Sequence, residues 1–207
     1  YLGGGTPSRL SIEEIRMIFD ALCHCFHIMS DAEITMEVNP DDITQEYATA
    51  LREFPINRIS MGVQSFNDKL LCAIHRRHSG MEAVKSYNIL RESGFGNISI
   101  DLIYALPRQS LPLWENDLDF AVSLRPEHIS AYALSFEEGT PLYKKLQKGD
   151  IKEPEEELYI NMYGMLVEKL KIAGYEHYEI SNFSLPGKRA RHNSSYWTGE
   201  KYLGLGA

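Results

Sequence analysis

The most regular feature of the chain is the alternation of apolar and polar residues in four short stretches. In each stretch every second side chain is apolar, which predicts a β-strand with one apolar and one hydrated face, since successive side chains of a strand point to opposite faces. Amphipathic helical patterns separate the stretches, and this alternation of strands and helices is typical of a parallel sheet built from βα units. The four predicted strands cover residues 33–38, 58–64, 97–102 and 128–133.

The hydrated face is unusual for a parallel sheet, whose strands are normally apolar on both faces because helices cover both. Here helices can cover only one face, and the other face must line a hydrated interior. The pattern therefore predicts an α/β fold with a partial (β/α) barrel, whose inner face carries Glu37, Gln64, Asp101 and Tyr132. Glu37, Gln64 and Asp101 lie near the carboxyl ends of successive strands, where barrel enzymes place their sites.

The βα rhythm stops near residue 136, and this change divides the chain. Residues 1–136 are predicted to form the barrel, and residues 137–207 are predicted to begin a C-terminal α+β region with a long helix. Tyr1 and Leu2 have the pattern of the tail of a strand that continues into three glycines. We therefore expect the barrel to lack its first strand and the chain to be an internal part of a longer protein.

The composition of the chain limits its class and its partners. A length of 207 residues fits one large α/β domain, and a formal charge of −8 argues against nucleic acid as the main partner. No apolar run approaches the roughly 18 residues that a membrane helix requires, and no signal peptide is visible. The cysteines Cys23, Cys25 and Cys72 lack metal-site spacing, are expected to be buried and inert, and indicate a reduced, cytoplasmic setting.

Candidate binding chemistry gathers where the predicted strands end. The glycine-rich segment at residues 3–8 precedes a helix, and glycines let a backbone approach a ligand closely, although a tight turn explains the segment equally well. Arg76 follows the second stretch and joins Glu37, Gln64 and Asp101. Two carboxylates, an amide and a guanidinium suit a zwitterionic ligand with hydroxyl groups. A purely structural polar network is the alternative interpretation.

A second candidate site lies near the C-terminus, in the sequence HNSSYW at residues 192–197. A histidine beside two aromatic residues is able to hold a flat aromatic ligand and to offer its imidazole to a metal. The basic residues Lys188, Arg189 and Arg191 lie nearby. From this segment alone, a surface histidine and packed aromatic side chains are the simpler interpretation.

Several segments of the chain occur together, in the same order, in one known family. They are GGGTPS (3–8), EVNP (37–40), NRISMGVQSFND (57–68), Arg76 with His78 and Ser79, DLIYALP (101–107), EEGTP (137–141), YEISNF (178–183), and HNSSYW (192–197) followed by YLGLGA. With this order and spacing the chain resembles the radical S-adenosylmethionine (SAM) family of oxygen-independent coproporphyrinogen III dehydrogenases and related heme chaperones of the HemW type. The set is far more specific than any one of its members.

The resemblance implies a radical SAM barrel that binds SAM across its strand ends. By motif, the implied SAM-binding residues are Gly4, Gly5, Thr6, Glu37, Gln64, Arg76, Asp101 and Ser135. Family members also carry a CxxxCxxC loop whose thiolates hold a [4Fe–4S] cluster. That loop belongs before Tyr1, so the iron–sulfur ligands are expected outside this chain, and no catalytic residue is assigned within it.

Within the family, the HNxxYW element favours the heme-chaperone branch, where it is associated with heme. This implies His192 as the heme-iron ligand, Tyr196 and Trp197 beside the porphyrin, and heme-accepting proteins as partners. The alternative is an oxygen-independent coproporphyrinogen III oxidase of porphyrin biosynthesis, so whether the protein is an enzyme stays open. A non-radical (β/α) barrel that binds a nucleotide-like metabolite is a further alternative.

Overall fold

A six-stranded sheet forms the centre of the protein, of which a computed structural model describes residues 1–206. The strands are β1 (Thr35–Val38), β2 (Arg58–Gln64), β3 (Ile98–Tyr104), β4 (His128–Ala133), β5 (Glu176–His177) and β6 (Asn182–Ser184). Their order in the sheet is β1-β2-β3-β4-β6-β5. The first four strands are parallel neighbours, which confirms the predicted parallel α/β sheet.

The two faces of this sheet differ because the side chains alternate along each strand. Met36, Ile59, Ile100 and Ile129 are fully buried on the outer, apolar face. The residues between them are polar and line the barrel interior, which we call the lumen. Removal of the apolar face from water is the main driving force for this arrangement.

Helices follow the strands and cover the apolar face of the sheet. Two of them begin with a capping box, in which a serine and a glutamate three residues later bond to each other's backbone N–H: Ser11 with Glu14, and Ser79 with Glu82. The helices are α1 (Ile12–Cys25), α2 (Gln45–Leu51), α3 (Asp68–Ala73), α4 (Gly80–Glu92), α5 (Leu111–Leu124), α6 (Pro141–Gln147), α7 (Glu156–Ile172) and α8 (Arg191–Thr198).

The first residues of the chain lie along the edge of β1 that does not pair with β2. Leu2 forms a parallel bridge with Met36, in which its N–H donates to the Thr35 carbonyl at 2.8 Å and its carbonyl accepts from the Glu37 N–H at 3.0 Å. The alternation of faces therefore includes Tyr1 and Leu2, and the side chain of Tyr1 lines the lumen. The glycine-rich segment follows directly and leads into α1.

The region after residue 136 extends the same sheet. Strand β6 pairs antiparallel with β4, with Ile129 opposite Phe183, and β5 pairs with β6. Helix α7 packs on α5, where the indole N–H of Trp114 donates to the carbonyl of Met162 at 3.0 Å. The division of the chain at residue 136 stays a prediction.

The prediction that the cysteines are buried is wrong, because Cys23, Cys25 and Cys72 are all exposed. In α1 the buried side chains are Ile15 and Phe19, and the last turn, which carries both cysteines, contributes no buried residue. Across residues 1–206, no helix combines the length and the apolar character needed to cross a membrane.

Candidate functional site

Two adjoining cavities occupy the lumen. The upper cavity, of about 210 Å³, lies at the carboxyl ends of the strands beside Gly5, and the lower cavity, of about 400 Å³, reaches down to the first residues of β2 and β4. Four side chains border both cavities: Glu37, Ser60, Gln64 and Asp101. The polar residues expected at successive strand ends therefore meet in one place.

Most of the residues implied for SAM binding lie at these cavities. Gly5, Thr6 and Arg76 line the upper cavity, and Ser135 lines the lower cavity. Gly4 lines neither of them and instead borders a separate apolar cleft between the first residues and α1. The binding role of each residue stays a prediction.

Glu37 is held by an aromatic hydroxyl. The phenol of Tyr1 donates a hydrogen bond of 2.7 Å to Oε1 of Glu37. Burial, and then the hydrogen bond to Glu37, raise the pKa of Tyr1 above its usual value, so the phenol remains protonated and remains a donor. Gly3 leaves room for this pair, because a Cβ there would lie 2.9 Å from Oε1 of Glu37.

Asp101 has the most perturbed carboxyl group of the lumen. Its two oxygens accept hydrogen bonds of 3.2 and 3.1 Å from the hydroxyl of Ser60. Burial raises the pKa of Asp101 to about 6, and the nearby charge of Glu37 acts in the same direction. The hydrogen bonds from Ser60 and Ser130 oppose this shift. Near neutral pH a small change in the surroundings of Asp101 therefore changes its charge.

Asn39 and Gly62 also belong to this site, although the sequence analysis did not single them out. Oδ1 of Asn39 accepts a hydrogen bond of 3.1 Å from Nη1 of Arg76. A Cβ at Gly62 would lie 3.0 Å from Nε2 of Gln64 and 3.5 Å from Nη2 of Arg76. The position of Asn39 directly after β1 is the signal that would have identified it.

The lower cavity is lined at its floor by two buried basic residues. The ring of His128 lies between hydroxyl groups, with Nδ1 2.8 Å from Ser99 and Nε2 2.7 Å from Tyr178, and burial lowers its pKa well below the usual value. Nη1 of Arg58 donates to the side chain of Asn97 and to the Lys188 carbonyl, both at 3.2 Å. Both basic residues begin strands on the polar side of the predicted alternation, so the pattern contained a signal for them.

Helix α8 carries the HNxxYW element beside the lower cavity. The imidazole of His192 stacks on the ring of Tyr1 with centroids 4.2 Å apart, and its Nε2 is 3.2 Å from the hydroxyl of Tyr196. Burial lowers the pKa of His192, which favours the neutral ring. Tyr196 and Trp197 are 58 % and 63 % exposed, so their aromatic faces are open to a ligand.

Glu33 attaches α8 to the sheet. Its carboxylate accepts from the backbone N–H groups of Arg191 at 3.0 Å and His192 at 3.3 Å, which are the first two residues of α8. The same carboxylate lies 3.9 Å from Nη1 of Arg58. Asn193 in the next position lines the lower cavity. The histidine of α8 is therefore outside the lumen but in contact with its wall.

Among residues 1–206, no three His, Cys, Asp or Glu side chains are grouped so that they could hold a metal ion.

Comparisons with known proteins agree with this fold. A match to the Radical SAM superfamily covers residues 1–121. The heme chaperone HemW of Lactococcus lactis is 39 % identical over all of this chain and 55 % of its own length, and that of Bacillus subtilis is 40 % identical with the same coverage. A bovine mitochondrial protein named radical S-adenosyl methionine domain-containing protein 1 is 34 % identical over all of this chain and 47 % of its own length. The chain thus spans about half the length of these relatives.

Solved structures of radical SAM proteins have a similar fold. Coproporphyrinogen III oxidase (HemN) from Escherichia coli, described as a radical SAM enzyme, matches with a TM-score of 0.80 and 28 % identity over 95 % of this chain and 45 % of the other. The archaeal Elp3 of Methanocaldococcus infernus shares the fold, with a TM-score of 0.65 and 22 % identity over 83 % of this chain and 43 % of the other. The family match covers more than half of the residues, and it favours a radical SAM barrel over a non-radical one. The chain belongs to the radical SAM superfamily.

Proposed function

We propose that the full-length protein is a radical SAM heme chaperone, which binds SAM in the lumen and heme on α8. Membership in the superfamily implies SAM and a [4Fe–4S] cluster as cofactors. The observation that carries the proposal is the presence of two separate sites, a polar lumen and an exposed aromatic helix with a neutral histidine. Relatives that share this whole chain are named heme chaperones.

The donors and acceptors of the upper cavity fit SAM. SAM carries an ammonium group, a carboxylate, two ribose hydroxyls and a sulfonium. The carboxylates of Glu37 and Asp101 suit the cationic and hydroxyl groups, while Arg76 suits a carboxylate and Gln64 is able to donate or accept. Glycines beside the cavity allow close approach of the backbone. These residues would hold the molecule, and the cluster would supply the electron for its reductive cleavage.

The SAM site is tested by replacement of Glu37. In full-length protein with its cluster reconstituted, Glu37→Ala should weaken SAM about tenfold or more, because a charge-assisted acceptor is lost. Isothermal titration calorimetry measures the affinity, and Glu46→Ala on the exposed face of α2 is the control, which should bind like the wild type. If Glu37→Ala and Asp101→Ala both leave the affinity unchanged, SAM does not use the lumen.

Helix α8 offers what a bound heme needs. The neutral imidazole of His192 is a competent iron ligand, and Tyr196 and Trp197 present exposed rings to a porphyrin. Ligation through Nε2 requires the Tyr196 hydroxyl to give up its 3.2 Å contact. Arg189 and Arg191 would meet the propionates, since their ion pairs with Glu176 and Asp31 are exposed and weak.

The heme site is tested by titration. Heme added to the full-length protein should give a Soret band characteristic of histidine ligation, and His192→Ala should weaken binding and shift that band. His24→Ala on the exposed side of α1 is the matched control and should leave both unchanged. Equal affinity and an identical spectrum in His192→Ala would return His192 to the role of a surface histidine.

The second candidate function is oxygen-independent coproporphyrinogen III oxidation, and the fold similarity to HemN favours it. The two functions differ in whether the protein converts coproporphyrinogen III. Anaerobic incubation of the reconstituted full-length protein with SAM, a reductant and coproporphyrinogen III should leave the substrate unchanged if the protein is a chaperone. Formation of protoporphyrinogen IX would establish the enzyme instead. Heme-accepting partners and a cytoplasmic location belong to the same proposal.

A further inference from the structure

Gln64 occupies a backbone conformation that a glutamine rarely adopts. Its φ is 69°, in the left-handed region, and the pairing of β2 with β3 shifts register between Met61 and Gln64. A non-glycine residue is strained there and needs its surroundings to hold it. The consequence of this conformation is that the Gln64 side chain, which is largely buried, borders both cavities of the lumen.

The imidazole of His78 holds the backbone at this point. Its Nε2 lies 3.0 Å from the carbonyl oxygen of Val63, the residue before Gln64. A carbonyl only accepts, so Nε2 carries the proton and donates. His78 is only 3 % exposed, and burial lowers its pKa, so the ring is neutral with an unprotonated Nδ1. Within the described residues, Nδ1 makes no hydrogen bond, and the nearest carboxylate oxygen, on Asp41, is 3.8 Å away.

The segment that carries His78 also carries Arg76. His75 in this segment has a φ of 59°, so a second left-handed residue directly precedes Arg76. The amide of Gln64 and the guanidinium of Arg76 converge over Gly62, where a Cβ would lie 3.0 and 3.5 Å from their nitrogens. The Val63 carbonyl also accepts from the Ser65 N–H at 2.9 Å, across Gln64. The hydrogen bond from His78 joins this turn at the end of β2 to the loop that supplies the guanidinium.

We propose that His78 is a positioning residue, which fixes the left-handed turn at Gln64 and the approach of Arg76 and thereby shapes the ligand site of the upper cavity. This inference rests on the proposed binding of SAM in the lumen. His78 lines neither cavity of the lumen, so it would act without touching the ligand. What it supplies is one N–H donor at the position of Nε2.

That requirement allows a sharp test with two amides of different length. Gln places its side-chain nitrogen near the position of histidine Nε2, whereas Asn places it near Nδ1 and cannot reach the Val63 carbonyl. In reconstituted full-length protein we expect SAM affinity to fall about tenfold in His78→Asn and to stay within about threefold of wild type in His78→Gln. Isothermal titration calorimetry gives the affinities, and thermal unfolding gives the stabilities.

Ser86→Ala is the matched control for a general loss of stability. The Ser86 hydroxyl donates a buried bond of 2.7 Å to the carbonyl of Pro40, which directly follows Asn39 of the upper cavity. It should lower stability like His78→Asn and leave SAM affinity unchanged. Equal SAM affinities in His78→Asn and His78→Gln, or equal losses in Ser86→Ala and His78→Asn, would overturn the proposal. A wild type that binds no SAM would instead overturn the proposed function.

Discussion

At the residue scale, the chemistry of the lumen depends on buried ionisable side chains. Burial raises the pKa of Asp101, and the nearby charge of Glu37 adds to this effect. Burial also lowers the pKa of Arg58 and of Arg76, which remain charged all the same. A ligand with a cationic group would relieve the two carboxylates, which is what a binding site for a zwitterion requires.

The stability of the protein without ligand should depend on the ionisation of Asp101. Its pKa of about 6 in the folded state is above its ordinary value of 3.8, so the folded protein holds this proton more tightly than the unfolded chain. The stabilisation is complete below pH ~4 and is lost as the pH rises through 6, by up to about 3 kcal/mol. Asp101→Asn cannot ionise, so its free energy of unfolding should lack this decline.

Urea unfolding of the wild type and Asp101→Asn at a series of pH values measures the effect. The difference in stability between the two proteins should grow in favour of Asp101→Asn between pH 4 and pH 7.5. Two parallel pH profiles would show that Asp101 titrates in the folded state as it does in the unfolded chain.

Some site residues were predictable from the sequence and others were not, for a physical reason. Glu37, Gln64 and Asp101 follow from alternation, because a period of two fixes which side chains share a face. The left-handed backbone of Gln64 does not follow from it, since alternation does not specify φ, and the hydrogen bond from His78 to the neighbouring Val63 carbonyl comes from 15 positions further along the chain. Arg58 and His128 carried a local signal, but each also bonds to a group in the C-terminal region, the Lys188 carbonyl and the Tyr178 hydroxyl.

At the element scale, the sheet was predictable and the attachment of α8 was not. Strands β2 and β4 have the predicted bounds; β2 is buried along its whole length, and β4 is buried over its first four residues. Strands β5 and β6 are only two and three residues long, too short for a periodic pattern. Helix α8 is bonded to Glu33, which comes just before β1 and is far from α8 in the sequence.

Replacement of Glu33 should therefore loosen α8 and also destabilise the sheet. Glu33→Ala removes the acceptor for two N–H groups of α8 and leaves the buried Arg58 without its nearby carboxylate. We expect a loss of about 3 kcal/mol in the free energy of unfolding. Amide hydrogen exchange should accelerate across residues 191–198.

Two variants make this result specific. Glu33→Gln keeps an acceptor oxygen but no charge. Its free energy of unfolding and its amide exchange in α8 should lie between those of Glu33→Ala and the wild type. Glu168→Ala removes an exposed acid of α7 and should change neither stability nor exchange. Unchanged exchange in α8 of Glu33→Ala would mean that contacts other than this carboxylate hold the helix.

At the scale of the whole molecule, the barrel and the C-terminal region share one core. Trp114 and Leu118 of α5 are fully buried, and Met162, Leu166 and Leu170 of α7 are buried with them. Phe183 of β6 is also fully buried and lies opposite Ile129 of β4. The change in sequence pattern near residue 136 marks the end of the parallel strands, and the packing continues across it.

Whether the boundary at residue 136 also separates two folding units is tested by truncation. Removal of residues 137–207 would expose Trp114, Leu118 and Ile129 to water and would leave β4 as an unpaired edge. Each large buried side chain contributes about 1.5–3 kcal/mol, so the loss approaches the roughly 5–15 kcal/mol that stabilise a whole domain. We expect residues 1–136 to show no cooperative thermal transition by circular dichroism, whereas residues 1–207 should unfold in one step. A cooperative transition in residues 1–136 would instead establish the barrel as an independent domain, with the later strands and α7 as an addition to its edge.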